Sequence, residues 1–193
     1  MILDVIKMCP IIESEIGEKE AILEAAKLML ISARTAPKAA GRDDILTMIV
    51  YGKEKDDLAS IMEELAEERN IDGFRRDAKN VRDSDAVILI GVRGNKSIGL
   101  HCGACGFENC NEFEKAPKLL RADFTGPNCL YKELDLGIAL GSAVKTASIL
   151  NIDNRIMYRI GTAAMKLNWL SEATVVHGIP ISSKGKNIYF DRS

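Results

Sequence analysis

The 193-residue sequence predicts one domain of mixed helices and strands, with helices outnumbering strands. Two short, unbroken apolar runs of strand length stand at Ile45–Tyr51 (ILTMIVY) and Ala86–Val92 (AVILIGV). Several longer segments repeat apolar residues at spacings of three and four, as helices do. No internal repeat or low-complexity linker divides residues 1–193, and an apolar content of 47% permits a sizeable core.

Ile2, Leu3, Val5, Ile6 and Met8 point to a short ordered segment at the start, where Cys9 reads as a small buried hydrophobe. From 18 to 32, Ala21, Ile22, Ala25, Ala26, Met29 and Leu30 recur with helical spacing. That helix should stop at Thr35-Ala36-Pro37, because the residue before a proline is pushed out of helical geometry. The run 45–51 reads as a buried strand and 55–69 as a helix through Leu58, Ile61, Met62 and Leu65. Residues 74–81 read as a polar connection with a helical turn at most. The run 86–92 carries the strongest strand signal, and its lack of alternation implies burial on both faces. A short helix is expected in 112–120, broken by Pro117. Residues 132–150 form a helix dense in Gly137, Ala139, Gly141, Ser142, Ala143 and Ala147, suited to close approach by a helix or cofactor. A further helix is expected over 154–168, opened by Asp153, Asn154 and Arg155, then a strand from Thr174 to Ile179 ended by Pro180. The tail carries Ser183-Lys184-Gly185-Lys186 and an extended Ile188-Tyr189-Phe190.

Four of the five cysteines concentrate in 99–129: Cys102, Cys105 and Cys110 in C-x2-C-x4-C order, then Cys129 after eighteen intervening residues. A cuboidal iron-sulfur cluster needs thiolates converging from several directions, and a loop bent at Gly103 and Gly106 can deliver three while a remote segment closes the cage. This spacing predicts a 4Fe-4S site. Structural zinc is the alternative metal, although it usually draws four thiolates from two C-x2-C knuckles. Disulfides would need an oxidising compartment, to which nothing in the sequence points.

The net charge of -2, with both signs interspersed, gives no support to a nucleic-acid or membrane-surface partner. No apolar run approaches the roughly 18 residues of a membrane span, and a cytoplasmic location is expected. A single Trp argues against platforms of stacked rings. No Ser-His-Asp grouping, paired carboxylates or phosphate-binding glycine loop supports a hydrolase or a kinase.

Several segments together resemble a prokaryotic family of uncharacterised ferredoxin domain-containing proteins: Leu100–Phe107, Gly126–Cys129, Leu136–Ala143, Asp153–Tyr158 and Gly185–Arg192. A more distant resemblance is to the nitroreductase-like flavoproteins. It is carried by Ser32-Ala33-Arg34 with Pro37-Lys38, by the aspartate-led, alanine-rich stretch 135–150, and by Lys184 and Lys186. This second resemblance implies an α+β sandwich with a central mixed sheet, flanking helices and a homodimer built on a long helix. It also implies flavin mononucleotide (FMN), with Ser32, Arg34, Lys38, Lys184 and Lys186 near its phosphate. The cysteine loop alone is similar to small iron-sulfur modules of corrinoid-protein and electron-transport subunits. The expected activity is one-electron transfer to a redox partner, or flavin-dependent oxidoreduction with the cluster as relay; a non-enzymatic zinc module is the alternative from another class. His101 could donate to a cluster ligand or face water, and His177 is expected to be structural.

Overall fold

The computed structural model describes residues 11–190, so Cys9 and the expected N-terminal segment lie outside the described residues. A four-stranded sheet in the order β1-β2-β6-β5 forms the middle layer, from β1 (Ile45–Tyr51), β2 (Ala86–Val92), β5 (Asp153–Asn154) and β6 (Val175–Ser182). Helices α1 (Ser14–Thr35) and α5 (Leu130–Ile149) cover one face. Helices α2 (Gly52–Arg69), α3 (Asp72–Asp83) and α6 (Tyr158–Lys166) cover the other.

All seven residues of β2 are buried, and alternation divides them between two cores. Ala86, Ile88, Ile90 and Val92 meet α1 and α5, while Val87 and Leu89 meet the opposite helices. The unbroken apolar run therefore reflects helices on both sides. The sheet is antiparallel in every pairing, with Met48 opposite Leu89 and Leu89 opposite Gly178, where a mixed sheet was expected. Edge position explains why β1 buries only Ile45 and Val50. Small residues let the layers close up: fully buried Ala26 and Ala33 of α1 share a core with Ala139, Ala143 and Ala147 of α5. A Cβ on Gly161 of α6 would overlap the Val176 carbonyl of β6, so only glycine permits that approach.

Four local expectations are corrected. The supposed connection at 74–81 is part of α3, whose buried Phe74, Ala78 and Val81 follow helical spacing while Asp77 and Asn80, also buried, disguise it. Buried Asp77 is paired on both oxygens, with Arg76 at 2.6 Å and Arg159 at 3.0 Å. Asp153 and Asn154 pair with β6 instead of opening a helix, which begins only at Tyr158. Strand β6 runs through Pro180 to Ser182. Gly178 exchanges backbone hydrogen bonds with Met157, so alternation turns the missing Pro180 donor to the same side, into the gap between that bridge and β5. The 188–190 segment is no strand; Tyr189 is buried with its hydroxyl 3.0 Å from Ser84 Oγ. The short helix near Pro117 is α4 (Cys110–Lys115), ahead of a small hairpin of β3 (Leu119–Leu120) and β4 (Thr125–Gly126).

Candidate metal centre

Strand β2 delivers the chain to one pole of the sheet, where the cysteine loop begins. The remote cysteine is fastened to this pole by backbone: Cys129 N–H donates to Gly94 O at 2.8 Å, and Thr174 N–H to Val92 O at 2.8 Å. A Cβ built on Gly94 would lie 2.5 to 2.7 Å from Asn128 Oδ1, Glu133 Oε1 and Thr174 Oγ1, so any larger residue would have to displace these side chains. Gly99, His101, Gly103 and Gly106 all adopt positive φ (76°, 50°, 70° and 86°) and fold the loop back. Gly106 N–H closes one turn on Gly103 O at 2.9 Å. A reciprocal clasp closes a larger one. His101 N–H donates to Cys110 Sγ at 3.3 Å, and Cys110 N–H donates to His101 Nδ1 at 3.2 Å. His101 thus accepts through its ring and donates to a candidate ligand through its backbone, where a donor or a water-facing histidine was expected. Asn109 caps α4 by accepting from Glu112 N–H at 3.1 Å.

Cys102, Cys105, Cys110 and Cys129 line one tight pocket of about 10 Å³, together with Ile98, Leu100, Phe113, Leu130 and Tyr131. Phe113 is fully buried beneath it, edge-on to Phe107 at 5.7 Å, with Lys118 Nζ 3.8 Å above its ring. All four thiols are free. Access is graded, from buried Cys129 through half-buried Cys105 and Cys110 to exposed Cys102. Among the described residues no three His, Cys, Asp or Glu side chains are gathered as one metal ion would require. The four thiols line one tight pocket. Cys129 caps the 20-residue α5, whose positive end favours an anionic group at that spot. The donor set, four free thiols on one pocket, fits an iron-sulfur cluster.

The wall beside Cys129 rests on charges that the sequence reading missed. Fully buried Lys132 donates to Asp44 Oδ2 at 2.8 Å and Arg42 O at 2.9 Å, and Asp135 Oδ1 accepts from Ala39 N–H at 2.8 Å. Their one sequence signal is a Lys and an Asp three apart on the inner face of α5. Behind the cavity, burial pushes the Glu133 carboxyl up to about 7, and its Oε1 and Asn128 Oδ1 have no hydrogen-bond partner among the described residues.

The residues assigned to flavin are dispersed. Arg34 Nη1 donates to Asp43 Oδ2 at 2.5 Å and to Ile45 O at 2.7 Å. Ser32 Oγ donates to Leu28 O at 3.0 Å and lies 2.6 Å from Thr146 Oγ1. Lys38 turns back onto the carbonyls of Ala33, Arg34 and Ala36. Lys184, followed by Lys186 in the same turn, pairs with Asp85 at 3.4 Å and acts on the charge of Glu15 at the start of α1. Arg34 lies nineteen residues along that helix, roughly 29 Å away. These residues do not fit around one phosphate within the chain. His177 lies in β6, stacked on Phe124 at 5.8 Å, and burial pushes its pKa down. A larger cleft of about 430 Å³ lies across the hairpin, between α2 and α6; no thiol lines it, and its Arg69 and Lys166 are paired with Asp123 and Glu68.

Comparison with known proteins bears on both fold and site. Residues 125–192, which include Cys129 and α5 but none of the other three loop cysteines, match the model of a family described as "uncharacterized protein containing a ferredoxin domain (DUF2148)". An uncharacterized protein of Archaeoglobus fulgidus is 51% identical over 176 residues, covering 91% of this chain and 94% of its own length. Among solved structures, nitroreductase CinD of Lactococcus lactis in complex with chloramphenicol superposes with a TM-score of 0.57 at 14% identity, over 91% of this chain and 81% of that one. A candidate nitroreductase of Desulfovibrio desulfuricans in complex with FMN gives 0.54 at 13% identity, over 88% and 78%. The architecture is the nitroreductase fold.

Proposed function

The chain belongs to the family of uncharacterized proteins that contain a ferredoxin domain, and from that premise we propose that it is an electron-transfer protein holding one 4Fe-4S cluster through Cys102, Cys105, Cys110 and Cys129. The observation that carries this reading is the docking of Cys129 onto the end of β2, which puts a thiol from a distant segment on the same cavity as the three from the loop. When bound, the cluster would supply one-electron redox chemistry, and four thiolate positions leave no iron open to substrate. The residues do the rest. Phe113, Ile98 and Tyr131 exclude water from the inner side, while exposed Cys102 offers the edge nearest a redox partner.

A second copy is the proposed structural partner. Leu130, Leu134 and Ile138 stay exposed at intervals of four along α5, an apolar stripe that begins at the cavity rim. Free thiols and such a cluster suit the reducing cytoplasm. Iron, acid-labile sulfide and zinc measured on anaerobically purified protein test the central reading, with the spectrum before and after dithionite. Brown protein that bleaches on reduction supports it. Colourless protein with stoichiometric zinc ends it.

A further inference from the structure

The segment between α1 and β1 separates the flavin expectation from the metal centre. Its cations are spent locally. Arg34 is bound to the Asp43 carboxylate and the Ile45 carbonyl, and the Lys38 ammonium, nearly buried, caps the last carbonyls of α1. The helix end at this place is a C-terminus, whose partial negative charge opposes a phosphate. Asp43 adds a further negative charge.

The same segment is tied forward to the metal centre. Ala39 N–H donates to Asp135 at 2.8 Å, Lys132 holds Arg42 O at 2.9 Å and Asp44 at 2.8 Å, and Arg42 Nη1 donates to Ile98 O at 3.2 Å. Ala39 packs on Ile98, Phe113 and Cys129, and the last three line the thiol cavity.

We infer that residues 34–45 form a strap that holds one wall of the cluster cavity in place, and that Ser32, Arg34 and Lys38 serve this strap instead of binding a flavin phosphate. Arg34 and Asp43 are positioning residues: they act on the cavity through Asp44, Arg42 and Ile98. The inference rests on the cluster reading of the four cysteines. It departs from what the fold suggests, since a structural neighbour was solved with FMN.

The test uses anaerobically purified full-length protein with its iron and sulfide measured first. Free FMN titrated into the wild type should keep its fluorescence, and no flavin should co-purify. In Arg34→Ala, release of iron to a ferrous chelator should quicken about fivefold, the effect of roughly 1 kcal/mol lost from the wall, and the electron paramagnetic resonance line shape of the reduced protein should change. Arg34→Lys, which keeps a cationic donor beside Asp43, should stay closer to the wild type in both. Stoichiometric FMN in the wild type that is lost in Arg34→Ala overturns the inference. Iron release and line shape unchanged in Arg34→Ala overturn the strap. A preparation without iron overturns the cluster reading itself, and the FMN titration then still decides whether a flavin phosphate binds.

Discussion

Strand β2 and the loop that follows it are held by opposite means. The strand has all seven residues buried between two helical layers, and it pairs along its whole length with β1 and β6. The loop from 93 to 109 has one buried hydrophobe, Ile98, four residues at positive φ, and scattered backbone hydrogen bonds of 2.8 to 3.3 Å. Burial fixes the first, whereas the second depends on backbone turns and on what its thiols hold. The fold and the site should therefore fail separately.

The sharpest way to divide them is Cys129→Ser. Removing the one thiol that comes from outside the loop should abolish cluster retention, read as iron per chain, while far-ultraviolet circular dichroism stays that of the wild type. A collapse of secondary structure in this variant would show that the two regions are not independent. The reverse experiment is Leu89→Ala in β2, where a fully buried side chain leaves a cavity; about 2–5 kcal/mol of stability should be lost, measured by denaturant titration of the metal-free protein. A loss below about 1 kcal/mol would mean that the core closes over the gap.

The same contrast sets what could be read from the sequence. Strands β1 and β2 were legible to the residue, because continuous apolar runs leave few alternatives. Helix α3 was hidden, since Asp77 and Asn80 sit on its buried face and Asp77 is satisfied there by Arg159, a partner that spacing cannot show. Pro180 read as a stop because its neighbour on the β5 side was unknown. The cysteine spacing gave the loop away, but convergence of Cys129 depends on a backbone bond to Gly94, thirty-five positions earlier. Ser32-Ala33-Arg34 was visible as a motif, while its meaning hung on Asp43, whose pairing no local pattern announces.

Protons distinguish the two regions as well. Glu133, behind the cavity, has its carboxyl raised to about 7 by burial, so the native state holds a proton that the unfolded chain has released. Its contribution to stability is present below pH 4.5 and is lost as pH rises through about 7, with an upper bound of about 3 kcal/mol. His177, in the sheet, has its pKa lowered by burial; its contribution is present above pH 6.5 and is lost on acidification. Glu133→Gln should remove the first and leave the second, so that the metal-free variant gains stability from pH 5 to 7 and then levels off. A variant that still weakens between pH 5 and 7 would place the titrating group elsewhere.

The smallest expected effect concerns the loop alone. His101 combines two demands: positive φ, and a ring acceptor for the Cys110 amide while its own amide serves the Cys110 sulfur. Asparagine meets both, because it tolerates the left-handed region and carries an oxygen where Nδ1 stands. Alanine meets neither, and forfeits about 1 kcal/mol of hydrogen bonding besides adding backbone strain. His101→Ala should therefore release iron to a chelator roughly fivefold faster than wild type, while His101→Asn stays close to it. In the metal-free protein His101→Ala should cost about 1 kcal/mol of stability, whereas His101→Asn should stay within about 0.5 kcal/mol of wild type. If Ala and Asn behave alike, the clasp does not hold the loop, and the turns at Gly103 and Gly106 must set the positions of the three thiols by themselves.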